Sequence, residues 1–233
     1  MAARLKLSVI VPVGPGDRAW TGLLHDLAAL DAGAEIILVA PTGATPPGFD
    51  ARAYGLEVPA RWLEAPAGRA RQQNAGAAAA DGDMLWFLHA DSRVPARTLA
   101  AALGFARDDA LGYFRLRYLD DGPWAARLNG FGAGVRSRWA GLPFGDQGFL
   151  LSRRTFARLG GFDASLPAGE DHALVWTARI AGVALVDLGQ PLLSSARRYR
   201  EQGWLRTTLL HAGLTLSQAR RFRAMALRKR DGP

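Results

Sequence analysis

Apolar residues in the first part of this chain form short continuous runs separated by segments of helical character. The continuous runs have the length of buried strands and occupy residues 7–13, 34–40, 60–63 and 84–88, of which 60–63 is the weakest. Residues 17–31 carry apolar side chains at helical spacing, and the alanine-rich residues 69–80 are also predicted to be helical. The expected order is βαβ-βαβ, which is typical of an α/β protein with a parallel, doubly wound sheet and right-handed crossovers.

The pattern changes after Pro95, which opens a predicted helix reaching about residue 107. Residues 111–119 alternate with a period of two, so we expect a half-exposed strand in an antiparallel addition to the sheet. The remaining predicted elements are helices over 123–140, 153–159 and 169–181, strands within 144–152 and 183–188, and one or two amphipathic helices from Trp204 onward. No repeat or low-complexity linker interrupts them, which favours one continuous domain.

Composition is that of an ordinary globular protein, with 49% hydrophobic and 21% charged residues in 233. The chain has no cysteine, which excludes disulfides, thiolate nucleophiles and cysteine-bound zinc and fits a reducing cytoplasm. The first apolar run is short and contains Pro12, so a core strand explains it better than a signal peptide. No apolar stretch approaches the roughly 18 residues of a membrane-spanning helix.

The net charge of +8 is concentrated near the carboxyl terminus. Residues 197–230 contain ten Lys or Arg and one acid, Glu201, while the rest of the chain is close to neutral. This distribution argues against a nucleic-acid-binding core. It suits an arginine cluster facing phosphates, a basic amphipathic tail on an anionic membrane surface, or a solvated helix.

Two acidic segments are candidates for chemistry. His89 and Asp91 follow the strand predicted at 84–88, and ligands of open α/β sheets bind at the carboxyl ends of strands. Asp91 is suited to Mg²⁺, which takes one or two protein carboxylates plus phosphate oxygens and water, but a turn or capping aspartate before Pro95 is an equal alternative. Glu170 and Asp171 begin a predicted helix, where acids either stabilise the first turn or serve as a general base.

The sequence lacks the signatures of two other enzyme classes. Ser194 and Ser195 have no histidine and acid in a recognisable triad order. Gly14-Pro15-Gly16 after the first strand lacks the third glycine of a dinucleotide fingerprint, which argues against a dehydrogenase.

The segments SVIVPV, GRARQQNAG, FLHADS, GDQG, GGFD, GEDHAL and SSARRY, in this order over residues 7–210, resemble family-2 glycosyltransferases of the GT-A fold. They are closer still to a bacterial subfamily of those enzymes. The resemblance implies a Rossmann-like, mostly parallel sheet with a small antiparallel acceptor-side element. It further implies a glycosyltransferase domain over 1–196, with a donor half at about 1–95 and an acceptor half at about 96–196, and a basic helical segment over 197–233 packed on the same domain.

The resemblance also implies residue roles. Asp91, with His89 at the position of the family's first aspartate, would hold Mg²⁺ or Mn²⁺ on the donor diphosphate. Asp171 would be the general base and Glu170 a supporting acid. The implied nucleotide-sugar-binding residues are Pro12, Val13, Gly68, Arg69, Arg71, Asn74, His89, Ala90, Asp91, Arg197 and Arg198, and the implied acceptor-binding residues are Gly145, Asp146, Gln147 and Gly148.

Three positions depart from the family pattern. Residues 39–42 read Val-Ala-Pro-Thr where the family carries one or two aspartates, one of which contacts the nucleotide base. Gln73 stands where an arginine is usual, although Arg71 could replace it, and His89 replaces a carboxylate with a softer ligand.

The expected function is metal-assisted, inverting transfer of a sugar from a nucleoside diphosphate sugar to a hydroxyl of a saccharide, lipid or small molecule. The departures leave open a catalytically silent nucleotide- or sugar-binding protein, and the basic tail leaves open a membrane-surface scaffold. We expect no nucleic-acid partner. The expected location is the cytoplasm, with the basic tail as a contact to the inner membrane surface.

Overall fold

Seven strands form one sheet in the order β3-β2-β1-β4-β6-β5-β7, in a computed structural model that describes residues 5–44 and 48–231. The strands are β1 (Leu7–Pro12), β2 (Ala34–Pro41), β3 (Ala60–Ala65), β4 (Met84–Phe87), β5 (Ala110–Tyr118), β6 (Phe149–Ser152) and β7 (Ala184–Ser194). Strands β1 to β4 pair in parallel, β6 is antiparallel to both β4 and β5, and β5 pairs in parallel with β7. The predicted α/β class with a mostly parallel sheet is confirmed.

Helices cover both faces of the sheet. They are α1 (Trp20–Asp26), α2 (Arg69–Ala79), α3 (Ala96–Leu103), α4 (Ala126–Trp139), α5 (Arg153–Arg158), α6 (Glu170–Ile180), α7 (Arg197–Gln202) and α8 (Trp204–Asp231). Short 3₁₀ turns lie at Leu27–Ala29, Ala51–Tyr54 and Gly145–Gln147. Because β1 is buried on both faces, Val9 packs in the layer under α1 and α3, while Ile10 packs in the layer under α2, α5 and α6.

Strand β5 is buried except near its carboxyl end, whereas the sequence pattern predicts a half-exposed strand, and it pairs in parallel with β7 as well as antiparallel with β6. Three elements end elsewhere than the sequence pattern predicts. Helix α1 ends at Asp26 and a 3₁₀ turn continues to Ala29, short of the predicted end at residue 31. Helix α3 stops at Leu103 rather than near residue 107. Strand β7 runs to Ser194, well past the predicted end at 188, because a bulge opposite Tyr113 and Arg115 in β5 absorbs an irregular stretch and pairing then resumes. Gly189, at a φ of +74°, allows the local kink, and its N–H donates to the Asp187 carboxylate at 2.8 Å. Gly189 and Pro191 interrupt the apolar pattern, which is why the sequence predicts that the strand ends at residue 188.

The last helix lies against α6. Phe222 of α8 is buried and its ring centroid lies 5.5 Å from that of His172, which is also within 4.9 Å of the Phe144 ring. The Trp176 indole N–H donates to His172 Nε2 at 3.2 Å, so Nδ1 carries the proton and donates to Gln218 Oε1 at 3.5 Å. The division of the chain at residue 196 remains a prediction.

Candidate active site

A cavity of about 1030 Å³ opens where β4, β5 and β7 end. These strands run in the same direction, so their carboxyl ends share one edge of the sheet, the usual place for a ligand in this architecture. The cavity brings together seven of the predicted site residues: Arg69, His89, Asp91, Asp146, Asp171, Arg197 and Arg198.

The segment from His89 to Asp91 reaches the cavity because the chain turns as it leaves β4. The N–H of Leu88 donates to the Ile10 carbonyl at 3.0 Å, which is the last β1–β4 bond, and the N–H of Ser92 donates back to the His89 carbonyl at 3.0 Å. The side chains of His89 and Asp91 therefore lie beyond the sheet edge. Burial raises the pKa of Asp91, and the nearby carboxylate of Asp17 adds to the rise, so a cation beside Asp91 would favour its ionised form.

Asp171 lies in the first turn of α6, which follows Gly169 at a φ of +84°. Its Oδ2 accepts the N–H of Gly145 at 2.7 Å and its Oδ1 accepts the N–H of His172 at 2.8 Å. Burial raises the pKa of Asp171, but the positive charge of Arg69 and these two backbone donors outweigh burial and hold that pKa below its ordinary value. Asp171 is therefore ionised at neutral pH.

The position of Gly145 leaves little room for a side chain. A Cβ at this position would lie 3.0 Å from Asp171 Oδ2 and 3.3 Å from His89 Nε2. The lack of a side chain lets the 3₁₀ turn that carries Asp146 approach both groups.

Glu170 holds the Arg69 side chain in position. Its side chain is buried and forms an ion pair and hydrogen bond with Arg69 Nε, while Arg69 Nη1 lies 3.5 Å from His89 Nε2. Burial and the charge of Arg69 lower the pKa of His89 to about 3, so its imidazole is neutral at physiological pH. A neutral imidazole keeps one nitrogen lone pair with which it can bind a metal.

Asp146 has unused hydrogen-bonding capacity. Its Oδ1 is buried and has no hydrogen-bond partner among the residues that the structure describes. Burial raises the pKa of Asp146 to about 6 against the opposing charge of Arg136, and the charge of Asp171 adds to the rise. Buried polar atoms are rarely left unpaired, so this oxygen has the capacity to bind a ligand or a water molecule.

The donor set allows a divalent metal without forming a complete cage. No group of three or more His, Cys, Asp or Glu suitable for a metal occurs within residues 5–44 and 48–231. Mg²⁺ needs only one or two protein carboxylates when substrate phosphates and water fill its other positions. Asp91 and the neutral His89, which both line the cavity, would supply one or two such ligands.

Two predicted site residues use their polar atoms within the protein. The Asn74 amide binds the backbone of Phe162 twice, donating from Nδ2 at 2.7 Å and accepting at Oδ1 at 2.9 Å. Gln147 is fully buried, donates to the Phe114 carbonyl at 2.9 Å and accepts from Ser137 Oγ at 2.7 Å. Neither residue lines the cavity. Their proposed ligand contacts remain predictions.

The other predicted residues do not line the cavity: Pro12, Val13, Gly68, Arg71, Ala90, Gly145, Gly148 and Glu170. The Val13 carbonyl accepts Gln72 Nε2 at 2.9 Å, and the Val39 carbonyl accepts the same nitrogen at 2.6 Å. Arg71 Nη1 donates to the Ala67 carbonyl at 3.1 Å, which holds the loop before α2.

Sequence reasoning missed Arg136, which lines the cavity from α4. Its guanidinium carbon lies 3.6 Å from the Phe144 ring centroid, and its Nε donates to the Leu142 carbonyl at 2.8 Å. Burial lowers the pKa of Arg136, while the charges of Asp146 and Asp171 oppose that change. No local motif marks this residue, because its role depends on contacts made across the fold.

Sequence reasoning also missed the network that positions α7 and its two arginines. Asn129 Nδ2 donates to Tyr199 OH at 3.3 Å and to Thr208 Oγ1 at 3.0 Å, and Asn129 Oδ1 accepts from Trp204 Nε1 at 2.7 Å. Just before α7, the Asp121 carboxylate accepts the Ser195 hydroxyl at 2.5 Å and the Ala196 N–H at 2.7 Å. These contacts hold Arg197 and Arg198 at the cavity wall.

The fold is that of solved glycosyltransferases. The mannosyltransferase PcManGT from Pyrobaculum calidifontis, in complex with GDP-Man and Mn²⁺, is 20% identical with a TM-score of 0.62, over 83% of this chain and 57% of that one. S. aureus TarS 1–349 in complex with UDP-GlcNAc is 18% identical with a TM-score of 0.60, over 82% of this chain and 58% of that one. The chain thus spans less than two thirds of the length of these neighbours.

No protein-family model matches the sequence, and no curated protein matches it either. Within residues 5–44 and 48–231, no helix combines the length and apolar character needed to cross a membrane.

Proposed function

We propose that this protein is an inverting glycosyltransferase that moves a sugar from a nucleoside diphosphate sugar to an acceptor hydroxyl. The observation that carries the proposal is the gathering of Asp91, Asp146 and Asp171 with several arginines in one cavity at the carboxyl edge of the sheet. The likeness in fold to enzymes solved with GDP-Man and UDP-GlcNAc supports it.

The donor diphosphate is assigned to the side of the cavity that carries Arg197, Arg198 and Asp91. The two guanidinium groups stabilise the negative charge that develops on the departing nucleoside diphosphate. Asp91 and His89 would hold Mg²⁺ or Mn²⁺, which when bound supplies further positive charge to the diphosphate oxygens. Glu170 keeps Arg69 in place beside His89.

Asp171 is assigned the role of general base. It takes the proton of the acceptor hydroxyl, and that oxygen forms the new bond to the anomeric carbon. The bond to the diphosphate breaks on the opposite face, and its electron pair leaves with the phosphate. Asp171 is ionised and lines the cavity, and each of its oxygens keeps a lone pair beyond the backbone hydrogen bond that it accepts.

Asp146 is the second candidate for the base, because its Oδ1 is unpaired. The variants Asp171→Asn and Asp146→Asn, assayed for sugar transfer and for nucleotide binding, distinguish the two assignments. Loss of the base lowers transfer by about 10²- to 10⁴-fold and leaves nucleotide affinity nearly unchanged. Normal turnover by Asp171→Asn would exclude Asp171 as the general base. Normal turnover by both variants would exclude the proposed mechanism.

A catalytically silent binding protein is the second candidate function. Strand β2 ends at Val39-Ala40-Pro41 without a carboxylate to receive a nucleotide base, and the Val39 carbonyl already accepts Gln72. Calorimetry with a panel of nucleoside diphosphate sugars, with and without Mn²⁺, decides between the two. Binding without donor hydrolysis or transfer to any acceptor would favour this candidate.

A further inference from the structure

Helix α4 turns its large apolar side chains to solvent. A stripe that begins just before the helix comprises Trp124, Leu128, Phe131, Val135 and Trp139, exposed by 76, 53, 75, 44 and 87%. Their spacing places them on one helical face, which in a soluble protein normally faces the core. Here the buried face of α4 carries small residues instead, namely Ala126, Gly130, Ala133 and Ser137.

The first turns of α8 add a second apolar stripe beside it. Leu205, Leu209, Leu210 and Leu214 are exposed by 60, 63, 56 and 45%. The two helices are joined through Asn129, whose side chain contacts both Trp204 and Thr208. We call these nine exposed residues of the two stripes the rim surface, because its members Leu128 and Leu214 also line the cavity.

The charges around the rim surface are mostly positive, although acids flank it at Asp120, Asp187 and Glu201. Residues 122–145 contain three arginines and no acid, and residues 202–230 contain seven Lys or Arg and no acid. Arg206 is exposed beside the apolar residues. Arg138 and Arg127 are also exposed, the first 3.9 Å from the Asp187 carboxylate and the second paired with Asp120 at 2.7 Å. Exposed Trp, Phe and Leu flanked by arginine suit the interface of an anionic bilayer. A second copy of this chain would bring like charges together.

We propose that the rim surface docks on an anionic lipid bilayer and presents the cavity to an acceptor carried by that bilayer. The acceptor part rests on the proposed function, whereas the docking part does not. The contact differs from one made by a basic tail alone, since Trp124, Phe131 and Trp139 supply the apolar area that enters the headgroup region.

The test is flotation of the full-length protein with vesicles of phosphatidylcholine, with and without phosphatidylglycerol. The variant Trp124→Ser/Phe131→Ser/Trp139→Ser should lose at least about tenfold in partitioning onto anionic vesicles, while Leu5→Ser should not. Leu5 is the matched control, being 43% exposed at the opposite end of the sheet. High salt should weaken the wild-type contact.

Equal flotation of the triple variant and wild type would overturn the proposal, as would absence of the wild type from anionic vesicles. Sedimentation of the wild type as a dimer that the triple substitution dissociates, without vesicle binding, would assign the rim surface to self-association and also overturn it. The triple variant should keep its nucleotide affinity within about twofold, because its substituted side chains do not line the cavity. Asp171→Asn should bind anionic vesicles like wild type. The vesicle-binding result therefore tests the docking proposal even if the proposed function is wrong.

Discussion

The two ends of the parallel sheet each hold a buried cluster of charged groups, and they differ in how completely those groups are paired. At the amino end, Glu35 Oε1 accepts Ser8 Oγ at 2.7 Å and the Asp81 N–H at 2.5 Å, while Oε2 accepts Arg61 Nη1 at 2.8 Å. At the carboxyl end, Asp146 Oδ1 has no partner among the described residues. A paired cluster stabilises the fold, whereas an unpaired one leaves capacity for a ligand.

The pKa shifts of Glu35 and Asp146 have opposite signs. Burial raises the pKa of Glu35, but its hydrogen bonds with Ser8 and the Asp81 N–H and the charge of Arg61 more than offset burial, so that pKa lies below its ordinary value. Burial dominates at Asp146 and raises its pKa to about 6. The fold therefore favours the ionised form of Glu35 and the protonated form of Asp146.

Gly82→Ala should damage the amino end most. A Cβ there would lie 2.6 Å from the Ser8 backbone nitrogen and 2.5 Å from Ser8 Oγ, so the backbone must shift and the bond from Gly82 N–H to Ser8 Oγ must break. We expect a loss of about 3 kcal/mol in the free energy of unfolding, measured by urea denaturation. Activity per folded molecule should not change, and a specific loss of activity would contradict the assignment of this end to stability.

Gly145→Ala is the matching change at the carboxyl end. The new Cβ would displace Asp171 or His89 by a few tenths of an ångström, which alters the site more than the fold. We expect transfer to fall by about 100-fold, because misplaced catalytic groups lose reactivity steeply. The free energy of unfolding should change by less than about 1 kcal/mol. Lower stability with normal turnover would contradict the assignment of the carboxyl end of the sheet to activity.

Asp146→Asn should stabilise the protein at pH 8 in the absence of divalent metal. The folded-state pKa of about 6 lies above the ordinary 3.8, so the carboxyl group's contribution to stability is full below pH 3.8 and declines as pH rises through 6. Asparagine imitates the protonated form, and we expect a gain of about 2 kcal/mol at pH 8 that shrinks toward pH 4. Thermal unfolding at both pH values measures it; a gain independent of pH would point to another cause.

Glu35→Gln should have the smallest effect and the opposite pH dependence. The lowered pKa of Glu35 means that its ionised form adds stability at neutral pH, which is lost as pH falls through the folded-state pKa. We expect the variant to be about 1 kcal/mol less stable than wild type at pH 7, with the difference closing in acid. Urea denaturation at a series of pH values is the measurement, and a penalty that persists in acid would mean lost packing instead.

The sequence predicts the central strands and the position of residues 89–91 well, because those features are local. The apolar run of β4 is buried, and the chain turn after it brings His89 and Asp91 to the cavity. The bulge in β7 and the roles of Arg136 and Asn129 could not be predicted, since each depends on partners distant in sequence. Whether Asp171 is the base stays a prediction, although its place in the cavity agrees with that role.

Strand β4 pairs with β1 on one side and with β6, from much later in the chain, on the other. A fragment covering only residues 1–95 would leave the apolar edge of Met84–Phe87 open, and such edges recruit other strands and aggregate. The same fragment would contain Asp91 but neither Asp146 nor Asp171. The two halves predicted from the sequence therefore share one sheet, and an insertion or a split site belongs outside the β4–β6 pair.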